Sequence, residues 1–490
     1  MALVTTLALA GLALAAGYAL ALVAVNGRRR PGEPPLITGP LPFLGVGLEF
    51  GRDAMAMLAR TRETHGEVFT LFVAGQRMTF VADPLSFPDV LKAKSLSFSP
   101  IAEEVMHSGF GLHGLHELTC VEQLEDASRS YLKGQQLSPL TERMEQRLRG
   151  LIVELGEGLD DRGRELPLHR LIWDLMFAAG TDALFGEGLT NPAAAKWFED
   201  FDRQFPLRLA GMPEFMVAEG SAGLTKLSVL LAGEGRDPSE WMARRYELLA
   251  GVDDDRRGRI QTAVLWAAHA NTIPAAFWTL AQLLREPAAL ASVRAELDAI
   301  AGPADAEGRP PPLPLATLDR LRMLDSAVRE ALRLSSGSLT VRKVTEPFRL
   351  TTRVGEFELR RGDRVCLAPW LTHHDPEIFA EPDRYRFDRF FSETGVEQFH
   401  KRGERVGFAL MPFGAGRSMC PGRFFAIAEI KLLVALMLAR FDLELADDAW
   451  PQLDLTRVGL GIHPPKTELS VRLRRRALDP GREPGYGPPR

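Results

Sequence analysis

Residues 411–423 read Met411-Pro-Phe-Gly-Ala-Gly-Arg-Ser-Met-Cys-Pro-Gly-Arg423, and an apolar run from Phe424 to about Arg440 follows directly. Gly414 and Gly416 let the backbone turn tightly and approach a flat ligand closely. Cys420 falls at the mouth of a predicted helix, with Pro421 in the first turn, where a missing N–H is tolerated. A thiolate there faces unpaired N–H groups and the positive end of the helix dipole, which predicts a lowered pKa. Gly422 leaves room beside the sulfur for a macrocycle.

The rest of the chain is compatible with one large body around this loop. Of its 490 residues 46% are hydrophobic and 25% charged, the composition of a globular protein with a sizeable core. A net charge of −5 argues against a nucleic-acid partner. The three cysteines, Cys120, Cys366 and Cys420, are scattered and odd in number, so they outline neither a disulfide framework nor a zinc site. Only Cys420 has neighbours that give it a chemical task.

Residues 1–27 lack charged side chains, and Ala2–Val25 is almost wholly apolar. As a helix this run would span about 36 Å, enough to cross a bilayer with some tilt. Arg28, Arg29 and Arg30 follow, which holds the C-terminal side in the cytoplasm. No basic region precedes the apolar run, which disfavours a cleaved signal peptide. The expected organisation is a transmembrane signal-anchor over 1–27, a basic, Pro-rich linker over 28–42, a catalytic domain over 43–478 and a flexible tail over 479–490.

Within the body, Val68–Val73 and Met78–Ala82 read as a β-hairpin. Helical periodicity predicts helices over about 122–156, 168–186, 222–250, 260–285, 286–301, 320–334 and 421–441. Strand-like runs lie near 347–360, 363–367 and 467–473. Arg472–Arg476 reads as the start of a solvated end. The prediction is a mainly α fold with a small β-rich portion.

Two further segments carry chemistry. Glu330-Ala-Leu-Arg333 puts two opposite charges on one helix face at i, i+3. Leu265-Trp-Ala-Ala-His-Ala-Asn-Thr-Ile-Pro274 lies inside a helical segment, and Pro274 cannot donate to the carbonyl of Ala270. The predicted kink puts Asn271 and Thr272 beside a gap suited to water or dioxygen. His269 reads as a packing or substrate-side residue rather than an iron ligand.

Phe413-Gly-x-Gly-x-x-x-Cys420-x-Gly422 resembles the haem-binding loop of cytochromes P450. The resemblance implies the P450 fold behind a transmembrane helix, and haem b with Cys420 as the iron ligand and Phe413, Gly414, Arg417 and Gly422 around it. Where that pattern usually has Arg or His two residues before the cysteine, this chain has Ser418, and Arg417 is the implied substitute. Arg342, just after Leu339-Thr-Val341, matches the strand arginine that reaches a haem propionate. The usual Trp-x-x-x-Arg of another helix is absent, leaving Arg129 or Lys133 in that role. Glu330, Arg333 and, through Phe387-Asp-Arg389-Phe390, Arg389 resemble the family's buried triad. Asn271 stands where most members have an acid before Thr272.

A narrower resemblance is to the cholesterol and oxysterol 7α-hydroxylases, with sterol 12α-hydroxylases and prostacyclin synthase as sister members. It rests on Leu265–Trp278, Arg333–Leu339, Cys420-Pro-Gly-Arg-Phe-Phe-Ala-Ile427 and Arg457-Val-Gly-Leu-Gly-Ile-His-Pro-Pro465. It implies hydroxylation of a sterol or similar lipophilic molecule at C7, with dioxygen and electrons from NADPH through a reductase, or from a ferredoxin. The implied pocket is Trp266, Asn271, Ser338, Leu339, Leu460 and Gly461. The alternative implied by the sister members is an isomerase acting on a lipid peroxide, which needs neither reductase nor proton relay. The implied location is a membrane, single-pass with a cytoplasmic domain: endoplasmic reticulum in a eukaryote, inner membrane in a bacterium.

Overall fold

The computed structural model describes residues 17, 18, 20, 26–159, 162–302, 304, 305, 307–392 and 398–476. Its helices of nine or more residues are α1 Gly47–His65, α2 Ser99–Phe110, α3 Val121–Tyr131, α4 Leu137–Glu157, α5 Leu168–Phe185, α6 Pro192–Leu209, α7 Glu214–Leu231, α8 Glu240–Leu248, α9 Asp254–His269, α10 Thr272–Arg285, α11 Pro287–Ala301, α12 Arg322–Ser335 and α13 Arg423–Arg440. Helix α13 is the spine of the core. Leu432, Leu433, Val434, Leu436 and Leu438 are all fully buried, as expected of a helix apolar on every side. Around it pack α4, α10 and α12, through side chains such as Met144, Leu148, Phe277, Leu280 and Val328. Cys420 precedes the first turn of this immobilised helix, which fixes where its sulfur can be.

The β portion is a six-stranded sheet in the order Leu36–Ile37, Val68–Val73, Gln76–Val81, Arg364–Leu367, Thr340–Val344 and Leu96–Ser97. The expected hairpin is its centre, with Val68 opposite Val81 and Val73 opposite Gln76. Arg342 lies on the strand Thr340–Val344, antiparallel to Arg364–Leu367.

Several expectations needed revision. The helix expected over 122–156 is two, α3 and α4, because Gly134 takes a left-handed φ of 59° between them. The one expected over 222–250 is α7 and α8, the second capped by Ser239, whose hydroxyl accepts from Met242 N at 3.3 Å. Helix α6 was not anticipated, although Asn191-Pro192 is a start signal: Asn191 Oδ1 accepts from Ala193 N and Ala194 N, both at 3.0 Å. Arg472–Arg475 belongs to the strand Ser470–Arg475, paired with Phe441–Leu445, and Arg476 binds Asp298 at 2.8 Å.

Residues 28–42 are folded onto the body. Glu33, 3% exposed, is ion-paired with Arg360 and Arg77, and Leu36–Ile37 joins the sheet beside Thr70–Leu71. The expected anchor and tail lie almost entirely outside the described residues. Among the described residues no helix is long and apolar enough to cross a membrane.

Candidate functional site: the cysteine loop and the broken helix

The loop before α13 closes on itself, with Cys420 N donating to Phe413 O at 3.0 Å. Gly414 and Gly416 have φ values of 69° and 71°, the left-handed region the turn needs. Cys120 and Cys366 are buried, whereas Cys420 is half-buried. Burial pushes the Cys420 thiol above its ordinary range, opposed by the N–H of Gly422, the Arg423 charge and the N–H of Arg423. The expected lowering at the helix mouth is present but smaller than the desolvation. The protein alone therefore keeps a thiol, and a coordinated metal would be what deprotonates it.

Arg342 is 7% exposed, and its guanidinium donates to Ala415 O at 3.2 Å and to the Ser418 hydroxyl. It meets no carboxylate among the described residues, and desolvation pushes its pKa down. A buried cation without a counter-anion is a place prepared for one. Arg417, by contrast, is exposed, with no hydrogen bond or ion pair among the described residues. Arg129 is exposed and taken by Glu125 at 2.7 Å and Asp126 at 3.1 Å, and Lys133 is exposed.

Beneath the loop, Glu330 and Arg333 are fully buried and paired through two bonds of 2.8 and 2.9 Å. Arg389 Nε adds a third to Glu330 Oε1 at 2.9 Å, and Arg386 N a fourth at 3.1 Å. Both guanidinium groups lie over the Phe379 ring. Arg333 also donates to His373 O, while His373 Nε2 accepts from Met411 N at 3.1 Å. The triad thus holds the first residue of the cysteine loop through one histidine. Burial keeps that histidine neutral, so the acceptor is always present.

Helices α9 and α10 are separated by Ala270 and Asn271, as the Pro274 argument requires. Asn271 Oδ1 accepts from Ile462 N at 2.9 Å. Thr272, 5% exposed, lies beside Glu429 of α13, and its hydroxyl favours the ionised carboxylate against the larger cost of burial. Glu429 is 2% exposed, and desolvation drives its carboxyl well above the usual range, so it is a neutral acid. His269 is pushed down to about 3 by burial, bonds Thr181 at 3.1 Å and packs against Phe177 and Phe198, so it is a neutral packing residue. On α9 itself, Ala267 is exposed and Ala263, Val264 and Ala268 are half-buried, although Thr262, Leu265 and His269 are buried. One face of the central helix, made of small side chains, is therefore less completely packed than the other.

Residues 255–471 match the family model described as Cytochrome P450. The chain is 33% identical to the Cholesterol 7-alpha-monooxygenase of Cricetulus griseus, covering 92% of this chain and 95% of that one. It is 34% identical to the 7-alpha-hydroxycholest-4-en-3-one 12-alpha-hydroxylase of Homo sapiens, over 94% and 97%. It is 35% identical to the Prostacyclin synthase of Rattus norvegicus, over 91% and 95%. The chain is a cytochrome P450. It belongs to the branch that holds these three enzymes.

The residues present fit the haem of a P450. A Cβ at Gly422 would meet Cys420 Sγ at 3.8 Å and Leu132 at 3.9 Å, ordinary contact distances. Protein packing does not demand glycine there, and the space beside the sulfur suits a ring. Arg342 with Ser418 offers an unclaimed cation and hydroxyl to a propionate. Cys420 is a soft donor in the loop that leads into a fixed helix.

Of the expected pocket residues, Ser338 forms a parallel bridge with Gly459, and Leu339 flanks that glycine. Leu460 is half-buried. Gly461 has φ 113°, and a Cβ there would lie 2.2 Å from Asn271 Oδ1. Trp266 is stacked on Phe205 at 4.1 Å and donates to Asp202 at 2.8 Å. Sequence reasoning missed Glu429 and Asp202. A lone Glu inside the apolar run 424–439 was a readable signal. Asp202 had none, because it lies on a helix that was itself missed.

Proposed function

We propose that this P450 hydroxylates a sterol or steroid-like lipid at C7, using dioxygen and electrons delivered from NADPH by a reductase or ferredoxin. The observation that carries an oxygenase reading over the isomerase one is the Thr272–Glu429 pair, a hydroxyl and a neutral acid at the helix break. An isomerase of a lipid peroxide has no use for such a proton store. The sterol class rests on what the relatives are named for.

Bound haem supplies oxygen activation, with the thiolate pushing electron density to favour O–O cleavage. The chain's own residues set the conditions for it. Cys420 Sγ provides the ligand, with Phe413, Gly414 and Gly422 shaping the loop around it. Arg342 and Ser418 hold a propionate. Thr272 Oγ1 keeps a proton in exchange with Glu429, which supplies the acidity that Asn271 cannot. Trp266, Ser338, Leu339, Leu460 and Gly461 wall an apolar space that excludes water and orients a rigid ring system. Residues 1–27 anchor the enzyme in a membrane with the body in the cytoplasm, where a lipophilic substrate partitions.

The test is reconstitution of the full chain in lipid vesicles with a P450 reductase, NADPH, isotopically labelled dioxygen and cholesterol or oxysterols. The expected result is an NADPH-dependent sterol product carrying one labelled oxygen at C7. Conversion of a prostaglandin endoperoxide without reductase, with no labelled sterol, would overturn it in favour of the isomerase.

A further inference from the structure

One carboxylate gathers three parts of the fold. Asp202 of α6 accepts Trp266 Nε1 of α9 on Oδ1 at 2.8 Å. It also accepts both terminal nitrogens of Arg457, Nη2 on Oδ1 and Nη1 on Oδ2, each at 2.8 Å. Arg457 is 7% exposed and donates in addition to Asp202 O at 3.3 Å. A bidentate, charge-assisted pair of this kind fixes geometry as well as contributing energy.

The loop that begins at Arg457 is clamped at its other end by a separate set of bonds. Ile462 N donates to Asn271, Gly337 N donates to Gly461 O at 2.7 Å, and Trp278 Nε1 donates to His463 O at 2.7 Å. Between the clamps lie Val458–Gly461, with left-handed glycines at 459 and 461. Midway, among the described residues, the span is held only by the Ser338–Gly459 bridge, so loss of its arginine end loosens it. Trp266 depends on the same carboxylate for the only polar group of its ring, and Phe205, one turn along α6 from Asp202, stacks on its face.

We propose that Asp202 is a positioning residue for the substrate: it holds the Trp266 indole and the 457–462 loop, two walls of the pocket, in one fixed relation. This rests on the sterol-hydroxylase reading for the ligand and for Trp266 and Leu460 as walls of its pocket; the bonds made by Asp202 stand on their own. Asp202 reaches substrate only through Trp266 and Leu460. Its loss therefore changes how tightly and in which orientation a rigid lipid is held, and leaves the haem environment at Cys420 as it was.

The test uses the full-length holoenzyme, as Asp202→Asn and Trp266→Phe. The first breaks the bidentate pair at constant volume. The second removes the indole donor together with the bulk of its second ring, and leaves the Asp202–Arg457 pair intact. Two readouts apply: amide hydrogen exchange across 457–463 without ligand, and the spin-state titration with cholesterol. In Asp202→Asn, exchange at Leu460 rises at least tenfold, cholesterol affinity falls at least tenfold, and the spectrum of the reduced CO complex is unchanged. Trp266→Phe weakens cholesterol binding severalfold and changes the ratio of hydroxylated products, with thermal stability retained, an effect that a purely structural role would not produce. Unchanged exchange at 457–463 in Asp202→Asn overturns the proposal whatever the ligand. Exchange that rises while cholesterol affinity and product ratio stay constant in both variants overturns its link to substrate. A wild-type enzyme with no spin shift for any sterol defeats the sterol reading instead, and the exchange measurement still decides the role of Asp202.

Discussion

The guanidinium of Arg342 donates to the hydroxyl of Ser418, so the one position where the cysteine loop lacks its customary cation is served by a cation from a strand 76 residues earlier. No carboxylate among the described residues neutralises that arginine. Replacing Arg342 by Ala removes a charged hydrogen bond worth about 1.5–3 kcal/mol. The expected outcome is haem release accelerated roughly tenfold to a hundredfold, measured by transfer to a haem-scavenging protein. Ser418→Ala has a smaller effect in the same direction, and Arg417→Ala has none. Equal effects of the two arginine variants would assign the propionate to Arg417 instead.

Glu330→Gln breaks a buried ionic network in which one carboxylate oxygen accepts three bonds. Removing one partner of such a network costs about 3–5 kcal/mol. The variant is expected to accumulate without haem and to unfold at markedly lower denaturant concentration. A variant with normal haem content and stability would remove the triad from the account.

Gly461→Ala adds a methyl group 2.2 Å from Asn271 Oδ1 at a backbone φ of 113°. It should destabilise the fold by more than about 1 kcal/mol and detach Ile462 from Asn271. Differential scanning calorimetry checks the first effect and amide exchange at Ile462 the second. Gly422→Ala, where the new contacts are 3.8 and 3.9 Å, is tolerated by the apoprotein and impairs haem uptake only.

Glu429 gives a pH dependence with a definite sign. Its folded pKa is raised above the unfolded value, so its contribution to stability is fully present below the unfolded pKa. That contribution is lost as pH rises towards the folded pKa, because only the unfolded chain releases the proton. Glu429→Gln has no such term. As pH rises above the unfolded carboxyl range the variant should gain on the parent by up to about 1.4 kcal/mol per pH unit, read from urea titrations at each pH. Parallel pH profiles would mean that Glu429 is ionised in the fold.

How far the sequence could be read follows from how local each signal is. The cysteine loop, the Glu330–Arg333 pair and the Pro274 break are each encoded within about a dozen neighbouring residues, and each formed as expected. Arg389 was legible only by resemblance, since nothing local joins it to Glu330. Arg417 and Arg342 were both expected at the haem, and burial separates them: Arg417 is exposed and Arg342 is buried, which adjacency in sequence does not reveal. Asn271 was read as a group at the oxygen site, yet its carbonyl oxygen is engaged by Ile462, 191 residues away. Asp202 and Glu429 act through contacts between distant helices. The lowered Cys420 pKa expected from the helix mouth failed because desolvation, a property of the whole fold, outweighed two local N–H groups.

Whether Cys420 binds haem iron as a thiolate is read from the absorption spectrum of the dithionite-reduced protein under CO. The expected result is the strongly red-shifted Soret band of a thiolate-ligated ferrous–CO haem in the parent, and its loss in Cys420→Ser with Cys120→Ser and Cys366→Ser unaffected. A parent spectrum of the unshifted, histidine-ligated type, or a red-shifted band that persists in Cys420→Ser, would contradict it.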